Sequence, residues 1–71
     1  MNPWQDVPFL VDSYRRAFNQ AHIETYNFAG DFSSRFKKSI TPYIEEWTSD
    51  PREQRLYLQD LMDEALDSLG I

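Results

Sequence analysis

The sequence predicts an all-α fold, a small bundle of three to four helices at about residues 7–28, 32–40, 42–48 and 51–69. Apolar residues recur at three- and four-residue spacing along most of the chain, which is the helical period. Proline and glycine stand where helices would begin or end, and no second alternating segment is present to pair with a strand. We expect the 71 residues (1–71) to form a single helical domain. Its long first and last helices are expected to pack antiparallel, because short connections favour antiparallel neighbours.

The first predicted helix is amphipathic when successive residues advance by about 100°. Its polar side includes Ser13, and its opposite side is a stripe suited to the core. Asp6 is positioned to cap the first turn, where Pro8 is tolerated because its missing N–H costs no helical hydrogen bond. Trp4 is expected to pack back onto this helix. The apolar stripe consists of Val7, Leu10, Val11, Tyr14, Ala17, Phe18, Ala21 and Phe28.

The middle of the chain carries a second apolar face. Gly30 suits the left-handed conformation that ends helices, and Asp31 follows as an N-cap. Pro42 predicts a division into two short helices, because a proline inside a helix costs roughly 3 kcal/mol. Thr41 would then cap the second of them, and a single bent helix is the alternative. The apolar face from Phe32 onward consists of Phe36, Ile40, Tyr43, Ile44 and Trp47.

The last helix has the clearest start in the sequence. Asp50 as N-cap, Pro51 at the first helical position and Glu53 three residues after the cap form a start that resembles a capping box. Gly70 is expected to end the helix. Its core-facing residues are Leu58, Leu61, Met62, Ala65 and Leu69.

The size of the chain limits what its core alone can supply. A domain of this length buries only about 60% of its unfolded surface, so one core yields just a few kcal/mol. There is no cysteine, which excludes disulfides and thiolate sites, and His22 is the only histidine. We therefore predict no metal and no cofactor. Self-association is the remaining source of stability, and this favours a homodimer.

The charge balance favours protein partners over nucleic acid. Twelve acidic residues against 7 Lys and Arg give a net charge of −5, whereas binding to phosphate backbones depends on clustered basic residues. The longest apolar segment, 7–11, is far too short to span a membrane and is interrupted by proline. Because residues 1–11 also lack the basic region of a signal peptide, we expect a cytoplasmic protein that does not bind membranes. The basic residues fall in two separate regions and include Arg15, Arg16, Arg35, Lys37 and Lys38.

The first helix offers one candidate interaction surface. Phe9, Arg16 and Ile23 are spaced by seven residues and so lie close to one line, away from the core stripe, with Tyr26 at the margin. Exposed apolar residues that form a patch tend to mark binding surfaces. The alternative is that the rest of the fold contacts this helix from two sides.

The last helix offers a second candidate surface opposite its leucine face. Its acidic residues could contact a basic partner, imitate DNA phosphates or offer oxygens to a cation. The alternative is a solvated outer face, which every amphipathic helix needs. Leu56 falls among the acidic residues, and a purely solvating face would not require it. The acidic residues are Glu53, Asp60, Asp63, Glu64 and Asp67.

No pattern typical of catalysis is present. The sequence lacks a glycine-rich phosphate loop, metal-ligand spacing and a nucleophile motif, and Glu45 and Glu46 diverge by about 100° on a helix. His22 is expected to be partly buried and hydrogen-bonded rather than a catalytic base. We therefore predict a non-enzymatic protein–protein interaction module, a small regulatory or inhibitory protein that binds a larger protein. A DNA mimic acting through the acidic last helix, a direct DNA binder and a structural subunit of a larger assembly are the alternatives.

Overall fold

A computed structural model describes residues 3–70, which form a short 3-10 turn, Pro3–Asp6, and three α-helices. Helix α1 spans Pro8–Phe28, α2 spans Phe32–Trp47 and α3 spans Pro51–Ser68. No strand occurs in this part of the chain. The predicted small all-α bundle is therefore confirmed. The single predicted domain also included residues outside the described ones, namely Met1, Asn2 and Ile71.

The middle helix packs against both of its neighbours. Phe9 at the start of α1 stacks on Trp47 at the end of α2, with ring centroids 6.1 Å apart, so these two helices are antiparallel. The connection between α1 and α2, 29–31, has three residues. A second three-residue connection, 48–50, turns α3 back along α2. Two reversals leave α1 and α3 running in the same direction. This differs from the expected antiparallel arrangement of the first and last helices, because the middle segment is a full helix and not a short crossing.

Aromatic side chains form the centre of the core. Phe36 is fully buried and lies between Tyr14 and Phe32, with ring centroids 5.8 Å and 5.9 Å away. Trp4 packs back onto α1 as predicted, with its ring centroid 5.3 Å from that of Tyr14. The buried apolar residues are Trp4, Leu10, Ala17, Ala21, Phe32, Phe36, Ile40, Ile44, Leu61 and Ala65.

Two residues of α1 differ in burial from the prediction. Phe28, assigned to the core stripe, is 75% exposed, because α2 begins only at Phe32 and leaves the last turn of α1 uncovered. Ser13, assigned to the polar side, is buried. Its small side chain permits this burial because the hydroxyl donates to the carbonyl oxygen of Phe9 at 2.7 Å.

The start of α1 also differs from the prediction. Asp6 lies in the 3-10 turn and does not cap the helix; the N-cap residue is Val7, which makes no side-chain capping bond. The amide of Val7 donates to the carbonyl oxygen of Trp4 at 3.0 Å. Burial of the tryptophan thus tightens the chain into a turn before the helix begins.

The caps of α2 and α3 are the predicted ones. Asp31 accepts a hydrogen bond from the amide of Ser33 at 3.0 Å, and Asp50 accepts one from the amide of Arg52 at 2.9 Å. Glu53 does not complete a capping box with Asp50. It instead accepts from the Thr48 hydroxyl at 3.0 Å, and the Asp50 amide donates to the same hydroxyl oxygen at 3.2 Å.

Helix α2 continues through Pro42, so the predicted division into two helices is wrong and the single-helix alternative holds. Pro42 is exposed, and its ring therefore does not disturb the core. The buried residues on both sides of it share one face, so burial on that face offsets the lost backbone hydrogen bond. The buried residues of α2 are Phe32, Phe36, Ile40 and Ile44.

The turn between α1 and α2 contains an unusual backbone conformation. Ala29 has φ 61° and ψ 176°, a region that is essentially restricted to glycine. Gly30, which was predicted to end the helix, follows with φ 113°. Arg35 of α2 donates from Nη2 to the carbonyl oxygen of Ala29 at 2.6 Å and holds this turn in place.

Ala29→Gly is expected to raise the free energy of unfolding by about 1 kcal/mol, because relief of backbone strain exceeds the added entropy of the unfolded chain. Gly30→Ala is the matched control and should destabilise the protein. An added Cβ there would lie 3.2 Å from Nη2 of Arg35 at a φ of +113°. Urea titrations of both variants measure the effect, and a loss of stability in Ala29→Gly would contradict the strain argument.

Candidate protein interaction surfaces

Large apolar side chains are exposed at several separate places on the described part of the chain. Two of these places lie near the end of α1, one lies where α1 begins, and one lies on α3. The exposed residues are Phe9, Ile23, Tyr26, Phe28, Trp47 and Leu56.

The predicted line of Phe9, Arg16 and Ile23 does not form one surface. Phe9 contacts two aromatic residues at the end of α2, Tyr43 and Trp47, so α1 is contacted from a second side at this point. Arg16 pairs with Asp12 at 3.1 Å and places a charged pair in the middle of the line. Ile23 lies about 21 Å along the helix from Phe9, at a rise of about 1.5 Å per residue.

Ile23 and Tyr26, one helical turn apart near the end of α1, form what we call the α1 end patch. Their side chains are 55% and 85% exposed. Both were predicted as partner-binding residues. Because the two residues are three apart on one helix, they are surface neighbours.

A shallow hollow borders the α1 end patch on the side of α3. Tyr26 lines it together with Phe32 and Leu69, so all three helices meet there. His22 lies at its edge, where it is exposed and stacks on Phe18 with ring centroids 6.0 Å apart. The expected partly buried, hydrogen-bonded histidine is therefore not observed.

A second hollow lies on the side of α2, between the end of α1 and the start of α2. Its volume is about 580 Å³, and Glu24, Phe28, Arg35, Lys38 and Ser39 line it; we call it the Phe28 hollow. Although it holds one acidic and two basic side chains, no ion pair joins them among residues 3–70. The sequence pattern does not predict this site, because it places Phe28 in the core stripe. The capping aspartate at position 31, which fixes where α2 begins, is the signal that could have shown that Phe28 projects past α2.

Four of the five acidic residues that were predicted to lie together on α3 do so. Four carboxylates line one shallow hollow, and we call this surface the acidic stripe: Asp60, Asp63, Glu64 and Asp67. Leu56, one turn earlier, is 53% exposed, whereas Glu53 bonds to Thr48 and lies apart. Within the described chain no carboxylate of the stripe is in an ion pair. Among residues 3–70, no group of three or more His, Cys, Asp or Glu side chains is placed to hold a metal ion.

The acidic stripe influences Tyr14 on the neighbouring helix. The Tyr14 hydroxyl lies 3.3 Å from Oγ of Ser68. Burial raises the pKa of Tyr14; the hydrogen bond with Ser68 lowers it in part, and the negative charges of Glu64 and Asp67 raise it slightly further. A raised pKa means that the folded state favours the protonated phenol of Tyr14. The contribution of Tyr14 to the free energy of unfolding is therefore fully present below about pH 10 and is lost as the pH rises further.

Fold and surface together define a small three-helix bundle with uncovered apolar residues at the end of its first helix and an acidic stripe on its last. Comparison with protein-family models, curated proteins and solved structures gave no match for this chain. Across residues 3–70, no helix combines the length and apolar character needed to cross a membrane.

Proposed function

We propose that the protein is a non-enzymatic interaction module, a small regulatory or inhibitory protein of the cytoplasm that binds a larger protein through the α1 end patch. The observation that carries this proposal is the exposure of Ile23 and Tyr26 on a helix whose opposite side carries the buried core residues Leu10, Ala17 and Ala21. Apolar side chains grouped on a surface mark interaction sites. Tyrosine is moreover enriched at protein interfaces.

The chemistry of the patch indicates how a partner would bind. Burying a side chain such as Ile23 contributes about 1.5–3 kcal/mol, and a few aromatic and apolar anchors dominate most interfaces. Tyr26 adds a hydroxyl that can hydrogen-bond at the rim while its ring is buried. The partner should therefore present an apolar groove with a polar edge.

Aspartate substitutions in the patch test this proposal. Tagged protein is used to capture partners from a native extract, which are identified by mass spectrometry, and capture is repeated with Ile23→Asp and Tyr26→Asp. Both variants should lose the partner while their circular dichroism stays that of the wild type, because the exposed side chains contribute little to the core. Asn27→Asp, which adds the same charge at the neighbouring exposed position, is the control and should retain it. Retention of the same partner by both patch variants would refute the proposal.

A DNA mimic acting through the acidic stripe is the second candidate, favoured by four unpaired carboxylates on one face. Charge reversal by Asp60→Lys, Asp63→Lys and Asp67→Lys in one variant distinguishes the two functions. A mimic would compete with DNA for a basic DNA-binding protein, and the variant would lose that competition. If the stripe only solvates α3, the wild type should not compete, and the variant should remain folded.

A further inference from the structure

We infer that two copies of the chain associate about a two-fold axis, with the Phe28 hollow of one copy packed on the same hollow of the other. This deepens the proposed function and rests on it, since it names a second copy as one partner at the end of α1. The surface involved is the α2 side of that helix end. The α1 end patch lies on another side and stays accessible in such a dimer.

The apolar centre of this interface is Phe28. Its side chain is 75% exposed although it lies at the angle of the core stripe. The turn that follows is held by the hydrogen bond from Arg35 to the carbonyl oxygen of Ala29. Phe28 is therefore presented on an ordered corner of the bundle, and a second Phe28 would cover it.

The charges around Phe28 indicate that the hollow fits a second copy of the chain. A two-fold interface uses the same patch on both copies, so the patch must complement itself. Glu24 on α1 and Lys38 on α2 line opposite sides of the hollow and carry opposite charges without pairing. A two-fold axis through the Phe28 contact, lying in the interface and perpendicular to the line from Glu24 to Lys38, places Glu24 of each copy against Lys38 of the other, which gives two equivalent ion pairs.

The requirement excludes the acidic stripe as a two-fold interface. The acidic stripe carries only one sign of charge, so two copies facing each other through it would repel.

The side chains of the Phe28 hollow are also available for pairing. Glu24 is held through Oε1 by the amide of Gln20 at 2.6 Å, which leaves Oε2 free to pair, and Lys38 is exposed.

Single and mixed charge reversals test the dimer. Sedimentation velocity and light scattering from micromolar to millimolar concentration should show a concentration-dependent dimer for the wild type. Glu24→Lys and Lys38→Glu should each weaken it at least about ten-fold, because like charges then face each other across the axis. An equimolar mixture of the two variants should form a heterodimer, since the lysines of one copy then face the carboxylates of the other.

Lys37→Glu is the matched control, because it makes the same change at the neighbouring position of α2, outside the hollow. It should leave the dimer intact. A wild type that stays monomeric, a dimer indifferent to both reversals, or a mixture that fails to associate would each overturn the inference. Capture of a larger partner that is lost in Ile23→Asp but kept in Lys38→Glu would leave the proposed function standing even then.

Discussion

Phe36→Ala is expected to lower the free energy of unfolding by about 3–5 kcal/mol, the usual cost of removing a buried phenylalanine. Phe36 is fully buried and its ring contacts Tyr14 of α1 and Phe32 of α2. The variant would lose these contacts and leave a cavity at the centre of the bundle. Because one core of this size supplies only a few kcal/mol, most of the molecules should unfold at room temperature.

Phe28→Ala is the matched control, since it makes the same chemical change at a side chain that is 75% exposed. Its effect should be within about 0.5 kcal/mol. Urea denaturation followed by circular dichroism, at a concentration that keeps the chain monomeric, measures both variants. Equal losses of stability in the two would contradict the assignment of Phe36 to the core and of Phe28 to the surface.

Pro42→Ala is expected to raise the free energy of unfolding by about 2 kcal/mol. The alanine amide can donate to the carbonyl oxygen four residues earlier, at Lys38, and the ring no longer crowds the preceding turn. Part of this gain is offset by the greater freedom of the unfolded chain. Little packing is lost, because Pro42 is exposed.

Pro51→Ala provides the comparison for this substitution. Pro51 stands at the start of α3, where an amide would have no helical partner and proline is well tolerated. Thermal and urea denaturation of the two variants should show a rise only for Pro42→Ala. A Pro42→Ala protein no more stable than Pro51→Ala would mean that α2 already accommodates its proline without cost.

Local signals in the sequence predicted the helices well. Asp31 and Asp50 cap helices as predicted because a cap depends only on the next few residues. The prediction at Pro42 was wrong because it considered only the cost of a proline inside a helix. Continuation of α2 also depends on burial of its apolar face against α1 and α3. Asp6 failed as a cap for a similar reason, since the turn containing it depends on how Trp4 packs.

The candidate surfaces were predicted unevenly. The acidic stripe was foreseen because neighbours on one helix follow directly from sequence spacing. Residues spaced by seven lie at a similar angle around the helix axis but at different positions along it. Phe9 and Ile23 therefore lie toward opposite ends of α1. The Phe28 hollow depends on two helices and on the point where the second begins. No pattern within one helix contains that information.

The shared direction of α1 and α3 gives the molecule an electrical polarity. Both helices end at the same end of the bundle, and each helix C-terminus carries partial negative charge. The N-terminus of α2, which carries partial positive charge, lies at the same end and offsets one of these two negative C-termini. Asp67 lies near the end of α3, where no basic residue stands in the last turn. A cationic partner would therefore be drawn toward the C-terminus of α3 before contact, and added salt would slow its approach.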